Sequence, residues 1–290
     1  MSGSWKLTYP GVVQEFGSEG IFLRKMPLPA AAEQENQDGT FPSDDGATMG
    51  VDLRGGRTIP LTFGVDGGDE LEVRDNWDRL ESVWSGDEIR RRTGAVAELV
   101  SDRGRSALGR PRRIAPTEER FNATPPDMTL EAEYQAVDAL WYGPWQSKRV
   151  GVGRRGTKGI RFPLRFPFHT DPPAQQDDSF VVGGAKPTWI VGVIEGPISS
   201  PILQIDRNLR YSLNGVTLAF DQSVTIDTRP WARSVLRNDG VSLAGLLDTT
   251  SSLLTSGRVA PGLHEFTISG TSSTGSAHAS VRWRDAFSTP

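Results

Sequence analysis

The fold class is decided by the stretch Leu209-Arg210-Tyr211-Ser212-Leu213-Asn214-Gly215-Val216-Thr217-Leu218-Ala219-Phe220. Two runs with alternating apolar residues flank Asn214 and Gly215, which accept the positive φ angles of a two-residue β-turn. The pattern predicts a hairpin with one wholly apolar, buried face, on which the facing pairs are Leu213 with Val216, Tyr211 with Leu218, and Leu209 with Phe220.

The residues around this stretch predict a complete β-sandwich over positions 189–287. In the C-terminal run the apolar residues Ala277, Ala279, Val281 and Trp283 alternate with polar ones, as on a half-buried strand. Further short strands are predicted at 190–194, 202–205, 224–227 and 232–236, and around His264, Phe266 and Ile268. Gly, Pro, Asn and Asp separate these strands, and such spacing is typical of an antiparallel sandwich.

The first half of the chain predicts a second β-rich domain with one helix. Val73, Trp77, Leu80 and Trp84 recur at helical spacing and form one apolar stripe, which predicts a helix over residues 69–85. Strands are predicted at 57–63, 95–100, 105–114 and 128–136. The second and third of them form a hairpin around Asp102-Arg103-Gly104.

The length of 290 residues exceeds that of one small sandwich and predicts two domains. We expect an N-terminal domain at 1–170, a polar connection at 171–187 and a C-terminal domain at 188–290. Residues 160–168 alternate apolar residues with Arg and Pro, which predicts an edge strand. The acidic segment 34–46 predicts an exposed loop, either a solvated connection or a contact arm.

Composition excludes several classes of function. The chain has no cysteine, so disulfides, thiolate nucleophiles and Cys-based zinc sites are excluded. A net charge of -4 argues against a general nucleic-acid binder. The apolar runs are too short to span a bilayer and the first residues lack the pattern of a signal peptide, so we expect synthesis and use without secretion.

Sequence motifs point to neither catalysis nor cofactor binding. Gly151-Val152-Gly153-Arg154-Arg155-Gly156 matches a dinucleotide-binding pattern, but no following helix is predicted, so a β-turn is the better interpretation. His169, His264 and His278 are far apart in sequence, although the last two can meet across neighbouring strands. No metal site, no cofactor and no pair of catalytic carboxylates is predicted.

Two groups of side chains are candidates for binding. Six basic residues occur without an acidic one between positions 148 and 161, and they suit either phosphate contacts or, as the favoured interpretation, solvated or intersubunit faces. The candidate contacts are Arg149, Arg154, Arg155 and Lys158. Among the eight tryptophans, Trp283 is predicted in the core, whereas Trp231 follows Pro230 at a strand end and is the candidate for stacking on a sugar.

The order of several segments resembles the distal tail proteins of siphophages, and it is similar in particular to minor tail proteins of phages that infect actinobacteria. The resemblance covers nearly the whole chain. It rests on residues 50–59, 94–99, 109–113, 194–201, 214–215, 224–231, 259–264 and 282–287.

This resemblance implies a mainly β protein with two domains: an N-terminal β-sandwich or split-barrel belt domain with one helix, similar to the tail-tube subunit, and a C-terminal galectin-like antiparallel β-sandwich. It further implies a structural, non-enzymatic virion protein, made in the host cytoplasm and located at the distal end of the tail. Six copies would form a ring between the tail tube protein and the tail hub, with the tape measure protein as a possible further partner and no nucleic-acid or membrane specificity.

Two other functions stay open. One is a carbohydrate-binding module for receptor recognition, although the chain has no insertion large enough for an added sugar-binding domain. The other is a glycan-processing enzyme. In the ring hypothesis the basic segment around Arg154 faces either the lumen or an acidic neighbour.

Overall fold

A computed structural model describes residues 4–17, 20–25, 27, 29, 32, 34–41, 45–152, 178–272 and 274–290. The chain forms two compact units, Met1–Gly143 with Phe287–Pro290, and Pro144–Ala286. The predicted edge strand at 160–168 and the residues Arg154, Arg155, Lys158 and His169 lie outside the described residues. Domain boundaries at 170 and 188 stay a prediction, although a strand at Ser179–Val182 lies within the expected connection.

The first unit is an antiparallel sheet with a helix packed on it. Its helices are α1 (Glu70–Ser85) and α2 (Asp87–Arg90). Its strands are β1 (Trp5–Tyr9), β2 (Val12–Phe16), β3 (Ile21–Leu23), β4 (Gln34–Glu35), β5 (Gly39–Thr40), β6 (Ala47–Thr48), β7 (Leu53–Arg54), β8 (Arg57–Asp66), β9 (Ala97–Val100), β10 (Ser106–Arg120) and β11 (Asp127–Ala136). The sheet has the order β2–β1–β9–β10–β11–β8–β3.

Helix α1 confirms the predicted helix and its apolar stripe. Asp69 caps it by accepting a hydrogen bond from the Glu72 N–H (2.9 Å), and Gly86, with φ of 60°, ends it in the left-handed conformation. Val73, Leu80 and Trp84 are buried against β8, β10 and β11, while Trp77 is half-buried. The helix therefore covers the sheet face from which alternate residues of β8 and β11 project.

The register between β8 and β11 explains why the sheet face under α1 is apolar. Tyr134 lies opposite Ile59, and Leu130 lies opposite Phe63, so alternate residues of both strands meet on the same side. All four side chains are buried. The strands predicted at 57–63 and 128–136, and the hairpin of β9 with β10 around residues 102–104, are confirmed.

The second unit is an antiparallel β-sandwich, as predicted. Strand β12 (Trp141–Gly151) contributes to both units. The remaining strands are β13 (Ser179–Val182), β14 (Thr188–Glu195), β15 (Ile198–Ile205), β16 (Leu209–Ser212), β17 (Thr217–Leu218), β18 (Ser223–Asp227), β19 (Ser234–Arg237), β20 (Arg258–Val259), β21 (Gly262–Thr271) and β22 (His278–Phe287). Two 3₁₀ turns lie at Ala244–Leu246 and Leu254–Ser256.

The core of the second unit lies between its two sheets. One sheet has the order β19–β18–β14–β22–β12, and the other has the order β13–β21–β15–β16 with β17 also on β15. Gly192 of β14 lies so close to Leu203 of β15 that an added Cβ would be 2.7 Å from a Leu203 methyl group. The predicted inward face of β22, including Val281 and Trp283, is buried in this core.

The predicted pairing at Asn214-Gly215 is wrong. The turn exists, with Gly215 at φ of 76°, but β16 and β17 do not pair with each other. Both pair with the same edge of β15, in which Ile202 faces Ser212 and Ile198 faces Leu218. The turn is therefore a bulge between two pieces of one edge strand, because β15 offers both pieces the hydrogen-bond partners that a hairpin would otherwise supply.

This pairing changes the environment of Phe220. Leu209, Tyr211, Leu213, Val216 and Leu218 are buried as predicted. Phe220 was expected opposite Leu209 on the same buried face, but it is 80% exposed. The reason is that β17 ends at Leu218, so Phe220 has left the strand before it could face the core.

Candidate functional site

The first unit carries an exposed β arm, defined here as residues 34–54. At the base of the arm, Gln34 pairs with Arg54 and Glu35 pairs with Leu53. In its distal part, Gly39 pairs with Thr48 and Thr40 pairs with Ala47. The Gly50 N–H donates to the Asp38 carboxylate at 2.8 Å. Every described residue of the arm is exposed, so the predicted exposed loop is confirmed, and it is organised as a ladder.

The surface of the arm combines negative charge with large apolar side chains. Residues 34–53 include five acidic residues and no basic one. Phe41, Met49, Val51 and Leu53 are all about half exposed or more. An exposed segment with several large apolar side chains is typical of a contact surface between proteins.

Arginines of the first unit divide into structural and exposed ones. Arg110 is structural, because its guanidinium donates to the backbone oxygens of Ala95 (2.7 Å), Arg90 and Arg92. Arg112 and Arg113 on β10 are exposed, and neither forms a hydrogen bond or ion pair with a described residue. They supply positive charge that an acidic partner can meet.

The second unit places three arginines around one exposed tryptophan. The Trp145–arginine cluster consists of Trp145, Arg229, Arg282 and Arg284. The guanidinium carbons lie 5.5, 5.0 and 5.7 Å, respectively, from the centre of the Trp145 ring, within the range of cation–π attraction. Trp145 is 40% exposed. Arg229 donates to both carboxylate oxygens of Asp227, from Nε to Oδ1 at 3.0 Å and from Nη2 to Oδ2 at 2.6 Å.

The sequence did not single out Trp145, whereas it did single out Trp231. Trp231 is half-buried, and the Arg229 guanidinium lies 5.9 Å from its ring centre, so the two tryptophans share Arg229. The alternation along β12 could have identified Trp145. Trp145, Ser147 and Arg149 are spaced two residues apart and all lie on the exposed side of the strand. Arg149, an expected contact residue, forms an exposed ion pair with Glu195 at 3.1 Å.

The histidines do not bond to each other. His264 Nδ1 lies 2.7 Å from Asp206 Oδ2, and its Nε2 lies 2.8 Å from the Ala260 carbonyl oxygen. His278 lies between the Glu195 carboxylate and the Ser276 carbonyl oxygen. Both nitrogens of each ring therefore face acceptors, and only the protonated imidazole donates to both. Residues 4–152 and 178–290, as far as they are described, contain no metal-ligand cluster.

The pair of Asp206 and His264 predicts an acid-sensitive contact. Burial raises the pKa of Asp206, but the hydrogen bonds from His264 and the Glu265 N–H outweigh this and lower it below its usual value of 3.8. A lowered carboxyl pKa stabilises the fold above the unfolded pKa, and this contribution is lost as pH falls through the folded pKa. We expect Asp206→Asn to lose less stability than the parent chain between about pH 5 and pH 3, measured by urea unfolding at each pH. An unchanged slope would contradict this assignment.

None of the described helices is both long and apolar enough to cross a membrane. A scan against models of protein families and a search of curated proteins each found no match.

Comparison with solved structures identifies proteins of the same fold. The Dit protein of phage SPP1, described as a paradigm of the hub adsorption apparatus in phages infecting Gram-positive bacteria, aligns with a TM-score of 0.56 at 14% identity, over 98% of this chain and 99% of that chain. A chain of the phage P2 baseplate in its activated conformation with Ca gives a TM-score of 0.54 at 10% identity, over 96% and 97%. The corresponding structure with Sr gives 0.50 at 11% identity, over 96% and 97%.

Proposed function

We propose that this chain is a structural distal tail protein of a siphophage, and that six copies form a ring joining the tail tube to the tail-tip hub. The observation that carries the proposal is the likeness to the SPP1 Dit protein, because it extends through both units and covers 98% of this chain and 99% of that chain. The protein acts at the distal end of the virion tail, and its partners are further copies of itself, the tube and the hub.

The exposed β arm supports a role in assembly. A ring forms by a repeated contact between two different surfaces of neighbouring copies. The arm is one such surface, since its apolar side chains are exposed in the single copy and its charge is negative. Arg112 and Arg113 of the same unit are also exposed, and they carry positive charge. The arm of one copy meets these arginines of the next in this proposal.

The basic residues near position 150 remain candidates for contacts within the ring or its lumen. They are Arg149, Arg154, Arg155 and Lys158. Arg149 already has an intramolecular partner in Glu195, but that pair is exposed and contributes little to stability, so Arg149 can exchange its partner on assembly.

The first test is the mass of the purified chain in solution, measured by light scattering over a concentration series. We expect a species with six times the chain mass of 31.6 kDa. A single-copy mass at every concentration would contradict a ring that the chain forms by itself. In that case, mixing with purified tube protein tests whether the ring needs a template.

Shortening the arm is expected to prevent the ring without unfolding the chain. The change replaces residues 36–52 by Asn-Gly, so that Glu35 and Leu53 close as a two-residue hairpin. The described residues of the arm are all exposed, so thermal unfolding is expected to stay within a few degrees of the parent. The readout is the loss of the six-copy species. Leu263→Ser, an exposed leucine in the second unit, is the control and retains the ring.

If the chain with the shortened arm still had the six-copy mass, the arm would not be part of the contact between copies, although the ring itself would be supported. The charge contact is tested separately by Arg112→Glu with Arg113→Glu, which is expected to weaken assembly most at low salt, where charge interactions are least screened.

A further inference from the structure

The outward face of one sheet in the second unit carries an arrangement that ring formation does not explain. Val191 of β14 lies opposite Asp227 of β18 on one side and Arg282 of β22 on the other. Partners in a strand pair project to the same face. This row therefore places Asp227 and Arg282 on the face opposite the core, where the Trp145–arginine cluster lies.

The cluster keeps positive charge available. Asp227 neutralises one guanidinium, that of Arg229, through a two-point ion pair. Arg282 is exposed and makes no hydrogen bond or ion pair with a described residue. A guanidinium presents paired donors that match the oxygens of a phosphate or carboxylate group.

An exposed indole beside these donors adds a second kind of contact. Trp145 retains 40% of its surface, and Trp231 lies near enough to share the Arg229 guanidinium. Aromatic side chains with an exposed ring stack on flat apolar surfaces, including the C–H face of a sugar. We propose that the Trp145–arginine cluster binds an anionic saccharide, with the sugar ring on Trp145 and its phosphate or carboxylate group on Arg282.

Pairing of the strands favours a saccharide over an acidic protein segment. Strand β14 lies between β18 and β22, and β22 lies between β14 and β12, so the backbone groups of this face are already used in the sheet. A peptide that binds by extending a sheet needs a free edge, whereas β18, β14 and β22, which carry Asp227, Val191 and Arg282, each have a neighbouring strand on both sides. Binding here depends on side chains alone.

A matched control exists in the same unit. The Arg258 guanidinium lies 4.2 Å from the centre of the Trp189 ring, a closer stack than any in the cluster. Trp189 is only 5% exposed, so its ring cannot receive a ligand. Arg258→Gln removes an arginine stacked on tryptophan without touching the proposed site.

The experiment is titration calorimetry of the full chain with five probes: glucose 6-phosphate, a trimer of galacturonic acid, neutral maltotriose, inorganic phosphate and polyglutamate. We expect binding of one or both anionic saccharides and none of maltotriose. The first two probes distinguish a phosphate from a carboxylate as the recognised group. Trp145→Ala removes the surface on which the sugar stacks, and Arg282→Gln removes a charged hydrogen-bond donor to the anionic group, so each is expected to weaken binding at least about tenfold. Arg258→Gln leaves binding unchanged.

Three results would overturn the proposal. These are no binding of either anionic saccharide, binding of inorganic phosphate or polyglutamate as tight as that of the saccharides, and equal weakening by Arg258→Gln. Arg282 is exposed, so Arg282→Gln keeps the test valid even where Trp145→Ala disturbs the fold.

Discussion

Replacing Trp84 by Ala is expected to lower the free energy of unfolding of the first unit by about 3–5 kcal/mol, as removal of a large aromatic side chain from a core does. Trp84 is 1% exposed, and its ring packs edge to face on Phe63 of β8, with centres 5.3 Å apart. The side chain joins α1 to the sheet, so its loss leaves a cavity between two layers that the backbone cannot close. Urea unfolding of the full chain, followed by far-ultraviolet circular dichroism, measures the change.

The same helix provides the control for this prediction. Trp77 lies on the same stripe but is only half-buried, so Trp77→Ala removes the same side chain with less lost packing and a smaller cavity. We expect its effect to be clearly smaller than that of Trp84→Ala. Equal losses of unfolding free energy in the two variants would contradict the prediction. They would show that burial of Trp84 against Phe63 is not what determines the stability of this unit.

Removing one hydroxyl group from each of two buried tyrosines is expected to have opposite effects. The Tyr134 hydroxyl lies between the backbone oxygens of Ala97 (2.7 Å) and Ala107 (3.0 Å). Tyr134→Phe leaves these acceptors without that donor and is expected to cost about 1–3 kcal/mol. The Tyr211 hydroxyl is buried in the sandwich and has no hydrogen-bond partner among the described residues.

Burial without a partner also raises the pKa of Tyr211, which is a further sign of its apolar surroundings. A buried hydroxyl without a hydrogen bond opposes folding, so Tyr211→Phe is expected to stabilise the second unit by about 1 kcal/mol. The two variants make the same chemical change, and each serves as the control for the other. Destabilisation by Tyr211→Phe comparable to that by Tyr134→Phe would mean that an ordered water or a rearranged acceptor satisfies the Tyr211 hydroxyl.

Local periodicity predicted the elements that depend on one segment at a time. The stripe through Val73, Leu80 and Trp84 predicted α1, and the alternation through Val281 and Trp283 predicted the buried face of β22. Both patterns arise because a regular backbone repeats its orientation toward one core. The capping residue Asp69 and the terminating Gly86 likewise act within their own segment.

Pairing between distant segments was less predictable. The turn at Asn214-Gly215 was identified from its residues, but its strands pair with β15, because the choice of partner depends on a third segment that the turn does not encode. The Trp145–arginine cluster was not predicted, for a similar reason. Its arginines come from positions 229, 282 and 284, and only the sheet brings them to a tryptophan at position 145.

The last four residues of the chain have a mechanical consequence. They belong to the first unit, where Arg105 stacks over Phe287 at 3.7 Å and donates to the Thr289 backbone oxygen at 3.0 Å. The second unit is therefore inserted into the first, and the polypeptide crosses between the two at two places, Gly143–Pro144 and Ala286–Phe287. A pulling load at Gly143–Pro144 is carried by the backbone itself, whereas a load at Ala286–Phe287 is carried only by the noncovalent contacts of the last four residues, so we expect the second connection to yield first.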